Sequence, residues 1–324
     1  MENNTETLKV FEAFSGYGSQ SIALRNLGIN YQVVGISEID KYAIDAYKAI
    51  HGYVKNFGDI SNINPQNIPK HDLFTYSFPC QDLSISGKMN GLIRGKTRSG
   101  LLYECEKIIA YHKPKYLLLE NVKNLISPKF KPQFDDWLKY LESLGYTNFW
   151  KVLNAKDFGI PQNRERIFVV SILNQNFDYQ FPIGYPLTTC VSDFLDENID
   201  KKYYLPNQIQ NQFTPIYKKT KNGIIKIGNS SKNKKSQAGV IIDTSGISMT
   251  ICAGTHGYAM GHIYDKKIIR RYTPRECFRL MGMKDEDIDK IQKLGMSDTQ
   301  QYKLAGNSIV INVLEVIFYN LLMQ

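Results

Sequence analysis

Apolar runs at residues 8–14, 31–36, 73–77, 116–119 and 167–172 alternate with stretches of helical spacing at 20–27, 41–50, 101–111 and 134–144. Two of the predicted helices stop at a glycine, Gly28 and Gly145, as helices often do. Strand and helix in regular alternation predict a mostly parallel sheet with helices on both faces. After about Pro186 the helical periodicity fades, and Lys, Asn, Gln and Gly become frequent. Only short β-like pieces remain there, at 224–227 and 240–242. Order returns near Arg271: one helix is predicted from Pro274 to Met281, and a strongly apolar one over 309–322. The organisation expected is one α/β domain, residues 1–185 plus 270–324, interrupted by a smaller, irregular, mainly β insert at 186–269.

Composition narrows this picture. With 324 residues and 43% hydrophobic content the chain has material for a substantial core. No apolar run of membrane-spanning length is apparent, so no membrane partner is expected. Residues 1–6 are polar and unlike a signal peptide, which makes the cytoplasm the default compartment. The five cysteines are scattered and odd in number, which argues against a disulfide framework. None has zinc-ligand spacing, so no metal is expected. The formal net charge is +9. Nine lysines and no Asp or Glu lie between residues 201 and 235. The bland reading of that stretch is a solvated loop region; the functional one is a phosphate-contacting face.

In an open parallel sheet, ligands bind beyond the carboxyl ends of the strands. Those ends carry the distinctive residues here. The first strand runs into Phe14-Ser15-Gly16-Tyr17-Gly18, where glycines let backbone approach a ligand and turn into a helix. Glu38 follows the second strand, roughly twenty residues on, where a carboxylate can accept from ribose hydroxyls. Asp59 follows Gly58 and suits an adenine amino group. The third strand leads into Phe78-Pro79-Cys80-Gln81, and the fourth ends at Glu120-Asn121-Val122. Each alone has an ordinary reading as turn, cap, core cysteine or ion pair. All of them on one rim are harder to dismiss.

These segments and three others resemble, in order and spacing, the bacterial DNA cytosine-C5 methyltransferases. The set is Phe14-Ser15-Gly16-Tyr17-Gly18, Ser77-Phe78-Pro79-Cys80-Gln81-Asp82-Leu83-Ser84, Glu120-Asn121-Val122, Gln162-Asn163-Arg164-Glu165-Arg166, Arg271-Tyr272-Thr273-Pro274-Arg275-Glu276 and Gly306-Asn307-Ser308. Many members carry a glycine pair after the first loop, whereas Ser19 and Gln20 follow Gly18 here; a serine still suits a helix N-terminus. The resemblance implies a Rossmann-like, S-adenosyl-L-methionine-dependent methyltransferase sheet with a target-recognition domain at 186–269. It implies a cofactor site of Phe14, Gly16, Gly18, Ser19, Glu38, Ile39, Asp59, Ile60, Pro79, Leu101, Asn307 and Ser308. Cys80 would add to C6 of cytosine, because a thiolate is both a strong nucleophile and a good leaving group. Glu120 would act at N3, Arg166 at O2, and Arg164 would hold neighbouring backbone or the Cys80 loop. Arg164 and Arg166 lie two apart before a strand and so would share a face. Gln81, Ser84, Ser86, Lys88, Arg98, Gln237 and Thr250 would touch duplex DNA.

A tRNA cytosine-C5 methyltransferase is the alternative enzyme, although RNA-directed relatives usually lack so long an insert. A DNA-binding protein of this fold without catalysis is the other alternative, and the intact Cys80, Glu120, Arg164 and Arg166 speak against it. A zinc deaminase would need a second cysteine three positions after Cys80, where Leu83 stands. A monomer suffices for this chemistry. Whether a restriction endonuclease accompanies the protein is a genomic question.

Overall fold

The computed structural model describes residues 6–83, 90–174, 178–230 and 237–323, apart from the side chains at 255, 256 and 258. The chain divides into two compact units.

The first unit comprises Met1–Leu153, Glu165–Ile183 and Leu314–Gln324. Its elements are β1 (Leu8–Ala13), α1 (Ser19–Asn26), β2 (Tyr31–Ser37), α2 (Lys41–His51), β3 (Leu73–Tyr76), α3 (Leu102–His112), β4 (Tyr116–Val122), α4 (Lys131–Ser143), β5 (Tyr146–Asn154) and β6 (Glu165–Leu173). The strands form one sheet in the order β2-β1-β3-β4-β6-β5. β1 pairs in parallel with β2 and β3, and β3 with β4. β6 runs antiparallel to β4.

Alternation along the strands assigns the two faces. Phe11, Phe74, Tyr76, Leu117, Leu119, Ile167 and Val169 point one way. They are buried against Cys105, Ile108 and Ile109 of α3 and Phe134, Trp137 and Leu141 of α4. Phe74 stacks on Phe11 at 5.6 Å and on Tyr76 at 5.2 Å. Each such side chain contributes about 1.5–3 kcal/mol by burial. Glu12, one residue on from Phe11, faces the other way and receives hydrogen bonds from Ser21 of α1 and Tyr47 of α2. Helices therefore cover both faces, as the pattern predicts.

The second unit comprises Asn154–Arg164 and Gly184–Val313. It holds α5 (Asn207–Gln212), β7 (Lys218–Lys219), β8 (Ile225–Asn229), β9 (Val240–Asp243), β10 (His262–Asp265), β11 (Ile268–Arg270), α6 (Pro274–Arg279), α7 (Asp285–Gln292) and α8 (Asp298–Asn307). α9 (Ile311–Leu322) starts in this unit and ends in the first. The five strands form a small sheet in the order β11-β10-β9-β8-β7. Its core is thin: Leu205, Ile227, Ile241 and Ile269. The sequence led to the expectation of a smaller, mainly β insert at 186–269. The compact unit is wider than the 186–269 insert, taking in 154–164 and 270–313 as well. A Thr273–Glu276 capping box starts α6, and buried Arg270 pairs with both Asp265 and Glu276.

One stretch does reach membrane-spanning length and apolarity, Asp298–Leu322. It is interrupted between α8 and α9, and 61% of its most apolar window is buried, as for a core helix.

Candidate active site

Topology alone gathers one set of residues. β1, β2, β3 and β4 are parallel, so their carboxyl ends share a rim, and the amino end of antiparallel β6 joins them. On that rim lie the Phe14–Gly18 loop, Glu38, the Cys80 loop, Glu120 and Arg166. Glu120 pairs across the sheet with Phe168 and Val122 with Arg166. The Glu120 and Arg166 side chains thus stand diagonally on one face, within reach of each other. Arg166 Nε lies 3.2 Å from Glu120 Oε1, and both side chains are largely buried.

Cys80 is partly exposed and carries no disulfide. Its loop is tied down from several directions. Asn121, buried at the end of β4, donates from Nδ2 to the Phe78 carbonyl at 3.0 Å and accepts from the Val122 N–H at 2.8 Å. Asn124 Nδ2 donates to the Leu83 carbonyl at 2.6 Å. Ser99 Oγ donates to the Pro79 carbonyl at 2.6 Å, while its N–H donates to Asp82 Oδ2. The Leu83 N–H donates to the Cys80 carbonyl, closing a turn around the thiol. Arg98 Nη1 donates to Gln81 Oε1 at 2.5 Å, and both residues are exposed. Ser84, Ser86 and Lys88 lie outside the described residues.

The glycine loop is equally specified. Phe14 and Gly16 both take positive φ, 54° and 56°. The Gly16 N–H donates to Glu38 Oε2 at 2.9 Å, and Glu38 Oε1 accepts from the Ile39 and Asp40 N–H groups. A Cβ on Gly18 would lie 2.5 Å from His51 Nε2 and 2.7 Å from Tyr47, whereas one on Gly16 would meet open space. Ser15 Oγ is buried with no hydrogen-bond partner among the described residues, and Ser19 is buried at the start of α1. Asn56 staples the next segment to this one. It accepts from the Glu38 and Gly58 N–H groups and donates to the Glu38 carbonyl. Asp59 Oδ1 caps the following turn at Ser61, Ile60 is buried, and Ile39 is 71% exposed beside Glu38. Pro79 and Leu101 are half-buried at the Cys80 loop and the start of α3. Beneath the loop, burial pushes the Glu12 carboxyl up to about 7, against hydrogen bonds from Tyr47 and Ser21 that favour its charge.

These features suit S-adenosyl-L-methionine. The open space at Gly16 admits a ligand. The unpartnered Ser15 hydroxyl awaits one. The Glu38 oxygens retain lone pairs beyond those the backbone uses.

The remaining candidates belong to the second unit. Arg164 is buried and donates to three carbonyls: Ile251 at 2.6 Å, Gly306 at 3.0 Å and Ser308 at 2.7 Å. Thr250 Oγ1 donates to the Asn163 carbonyl at 2.7 Å, and Gln237 Nε2 donates to the Thr250 carbonyl at 3.1 Å. Arg164, Gln237, Thr250 and buried Ser308 are therefore joined by one backbone-centred network, and exposed Asn307 lies between two of its carbonyls. Fully buried Gln162 supports it, accepting from the Ile251 N–H and donating to the Leu280 carbonyl. Asn56, Ser99 and Asn124 were not expected as site-building residues, and Asp82 and Gln162 stood only as members of the quoted motifs, with no role assigned. What each one does was not legible, because each acts through a side chain reaching distant backbone. Among the described residues no group of three or more His, Cys, Asp or Glu side chains could hold a metal ion.

A family model for C-5 cytosine-specific DNA methylases matches residues 8–323. Type II methyltransferase M2.ScrFI of Lactococcus lactis subsp. cremoris is 40% identical over 378 aligned residues, spanning 97% of this chain and 99% of that protein. Type II methyltransferase M.HhaI of Haemophilus parahaemolyticus is 36% identical over 326, spanning 97% and 94%. The crystal structure of the S. pombe Dnmt2 methyltransferase shares the fold at TM-score 0.74 and 19% identity, over 98% of each chain. A family match running nearly end to end, with relatives well above 30% identity, makes this chain a member of the C-5 cytosine-specific DNA methylase family, a DNA cytosine-C5 methyltransferase.

Proposed function

We propose that the protein transfers a methyl group from S-adenosyl-L-methionine to C5 of a flipped-out cytosine in a specific duplex sequence, through a transient bond between Cys80 Sγ and C6. The observation that carries this reading is the rim: Cys80, Glu120 and Arg166 stand at one end of three neighbouring strands, with the glycine loop at the same end of β1.

Cytosine C5 is a poor nucleophile. Addition of the Cys80 thiolate to C6 makes C5 enamine-like. Glu120 hydrogen-bonds or protonates N3 and so draws charge from the ring as sulfur adds. Arg166 holds Glu120 in place and reaches O2. When bound, S-adenosyl-L-methionine supplies the electrophilic methyl that C5 accepts. Loss of the C5 proton then expels Cys80, whose thiolate leaves readily. Phe14, Gly16, Gly18, Ser19, Glu38, Ile39, Asp59, Ile60, Pro79 and Leu101 hold the cofactor, with Asn307 and Ser308. Arg164 positions that last segment through its carbonyls.

The target base must leave the helix first, at a cost of a few kcal/mol. Residues 186–269 deliver and recognise the DNA, with Gln237 and Thr250 near the vacated stack. Gln81, Ser84, Ser86, Lys88 and Arg98 contact the backbone around it.

Methyl incorporation from labelled cofactor into duplex DNA and into tRNA, with Cys80→Ser in parallel, tests the proposal. Incorporation into duplex DNA alone, abolished in the variant, is expected. Persistent methylation by Cys80→Ser overturns the mechanism, and preference for tRNA overturns the substrate. Bisulfite-type sequencing then reads the target site.

A further inference from the structure

β7 and β8 form an antiparallel hairpin at the edge of the small sheet, closed by a turn in which the Gly223 N–H donates to the Thr220 carbonyl. Lys218 stands directly opposite Lys226 in this pair, and both are exposed. Directly opposed residues put their side chains on the same face, with Cβ atoms about 4.5–5.5 Å apart, and like charges so placed repel. Lys219 and Lys221 add two further exposed cations at the tip. Some other surface lysines have partners, such as Lys107 with Glu104, Lys202 with Asp298 and Lys290 with Asp287. Lys218, Lys219, Lys221 and Lys226 make no salt bridge among the described residues. The nearby carboxylate, Asp243, accepts hydrogen bonds from Tyr217 and Ser245 instead. Ile216 and Tyr217, 77% and 62% exposed, immediately precede β7.

A cross-strand lysine pair without an acid destabilises its own hairpin. A polyanion spanning the pair would relieve that repulsion. We infer that the β7–β8 hairpin is a clamp on the phosphates of duplex DNA, with Lys218 and Lys226 seated on successive phosphates of one strand and Lys221, in the turn, on a neighbour. The inference rests on the reading of this protein as a duplex-DNA methyltransferase. It adds where the backbone is gripped, and that the grip is independent of sequence. A two-stranded ribbon has the width to lie along a groove edge.

The test is the salt dependence of duplex binding by the full-length protein. Each phosphate contact contributes about 0.9 to the slope of log K against log salt. Lys218→Gln/Lys226→Gln is expected to lower that slope by about 2. It should weaken cognate and non-cognate duplexes by the same factor. Lys107→Gln/Lys290→Gln, an equal charge change elsewhere, is expected to leave the slope near wild type. Lys218→Glu separates folding from binding. It creates an opposite-charge pair with Lys226, so the melting temperature holds or rises while DNA affinity falls. An unchanged slope in the hairpin double variant overturns the clamp, as does an equal loss in the control. A change in sequence discrimination at constant slope overturns it too, in favour of base reading. Failure of the wild type to methylate any duplex strikes the functional reading instead, so the two failures remain distinct.

Discussion

At the scale of single residues, placement near the rim was legible and the contacts were not. Cys80, Glu120 and Arg166 could be put together because strand ends in an alternating α/β pattern must converge. Nothing in the letters said that Asn121 would spend its amide on the Phe78 carbonyl, two residues before the thiol. That bond yields a prediction. Asn121→Ala leaves a buried carbonyl and the Val122 N–H without their partner, at about 1–3 kcal/mol each. A thiol displaced by about 1 Å can cost on the order of 100-fold in rate. We expect kcat to fall about 10- to 100-fold with KM for DNA nearly unchanged, measured by steady-state methylation, alongside a lower melting temperature. Equal stability loss with normal kcat would show that the loop holds the thiol without this tether. Glu12 gives a second prediction. Its carboxyl is buried and its pKa is raised from 4.5 to about 7. A raised carboxyl pKa means that folding favours the protonated form. Stability is therefore full below about 4.5 and is lost as pH rises through about 7, by on the order of 3 kcal/mol. Glu12→Gln keeps the shape and removes the titration. Denaturant unfolding at pH 8 is expected to find the variant more stable than wild type, and no difference at pH 4.5.

At the scale of elements, apolar periodicity found the strands β1 to β4 and β6 and the helices α1 to α4 within a few residues. What it passed over has a common cause. β5 is an edge strand with Trp150 and Lys151 exposed, so its alternation is diluted by residues that a central strand would reject. α7 buries only Asp287, Ile288 and Ile291, and α8 reads as polar for most of its length. α8 also contains Gly306, which looks like a helix breaker. Its reason is spatial: a Cβ there would sit 2.2 Å from the Ala253 nitrogen and the Cys252 carbonyl carbon. Two effects of Gly306→Ala oppose each other. Helix propensity favours alanine by about 1 kcal/mol. The clash is with backbone, which cannot swing aside as a side chain can, and overpacking of this kind costs about 1–3 kcal/mol. The Gly306 carbonyl also accepts from Arg164, so a shift would loosen that network. Net destabilisation of up to about 2 kcal/mol is expected from chemical denaturation. A stabilised variant would mean that the Cys252–Ala253 backbone yields freely.

At the scale of the whole molecule, composition leads to the expectation of a basic, irregular insert inside an α/β domain. It could not foresee that 154–164 and 270–313 would pack with that insert, because their contacts join residues a hundred positions apart, such as Gln162 with Leu280. Nor could it foresee how buried titratable groups would sum. His71 and His262, one in each unit, are both lowered by burial from 6.5 to about 4. A depressed imidazole contributes stability above about 6.5 that is lost as pH falls through about 4, on the order of 3 kcal/mol each. Glu12 acts in the opposite sense over an overlapping window. Between about 4.5 and 6.5 two groups gain stability with rising pH while one loses it, so the net slope is upward. Above 6.5 the histidines are spent and Glu12 continues to lose until about 7. These three groups place the maximum of stability near pH 6.5. Calorimetric melting from pH 4 to 8 should show a rising limb, a maximum near that value and a shallow fall beyond it. In Glu12→Gln the fall should flatten while the acid limb remains. A maximum below pH 5, or an acid limb that disappears in the Glu12 variant, would contradict this assignment of the buried groups.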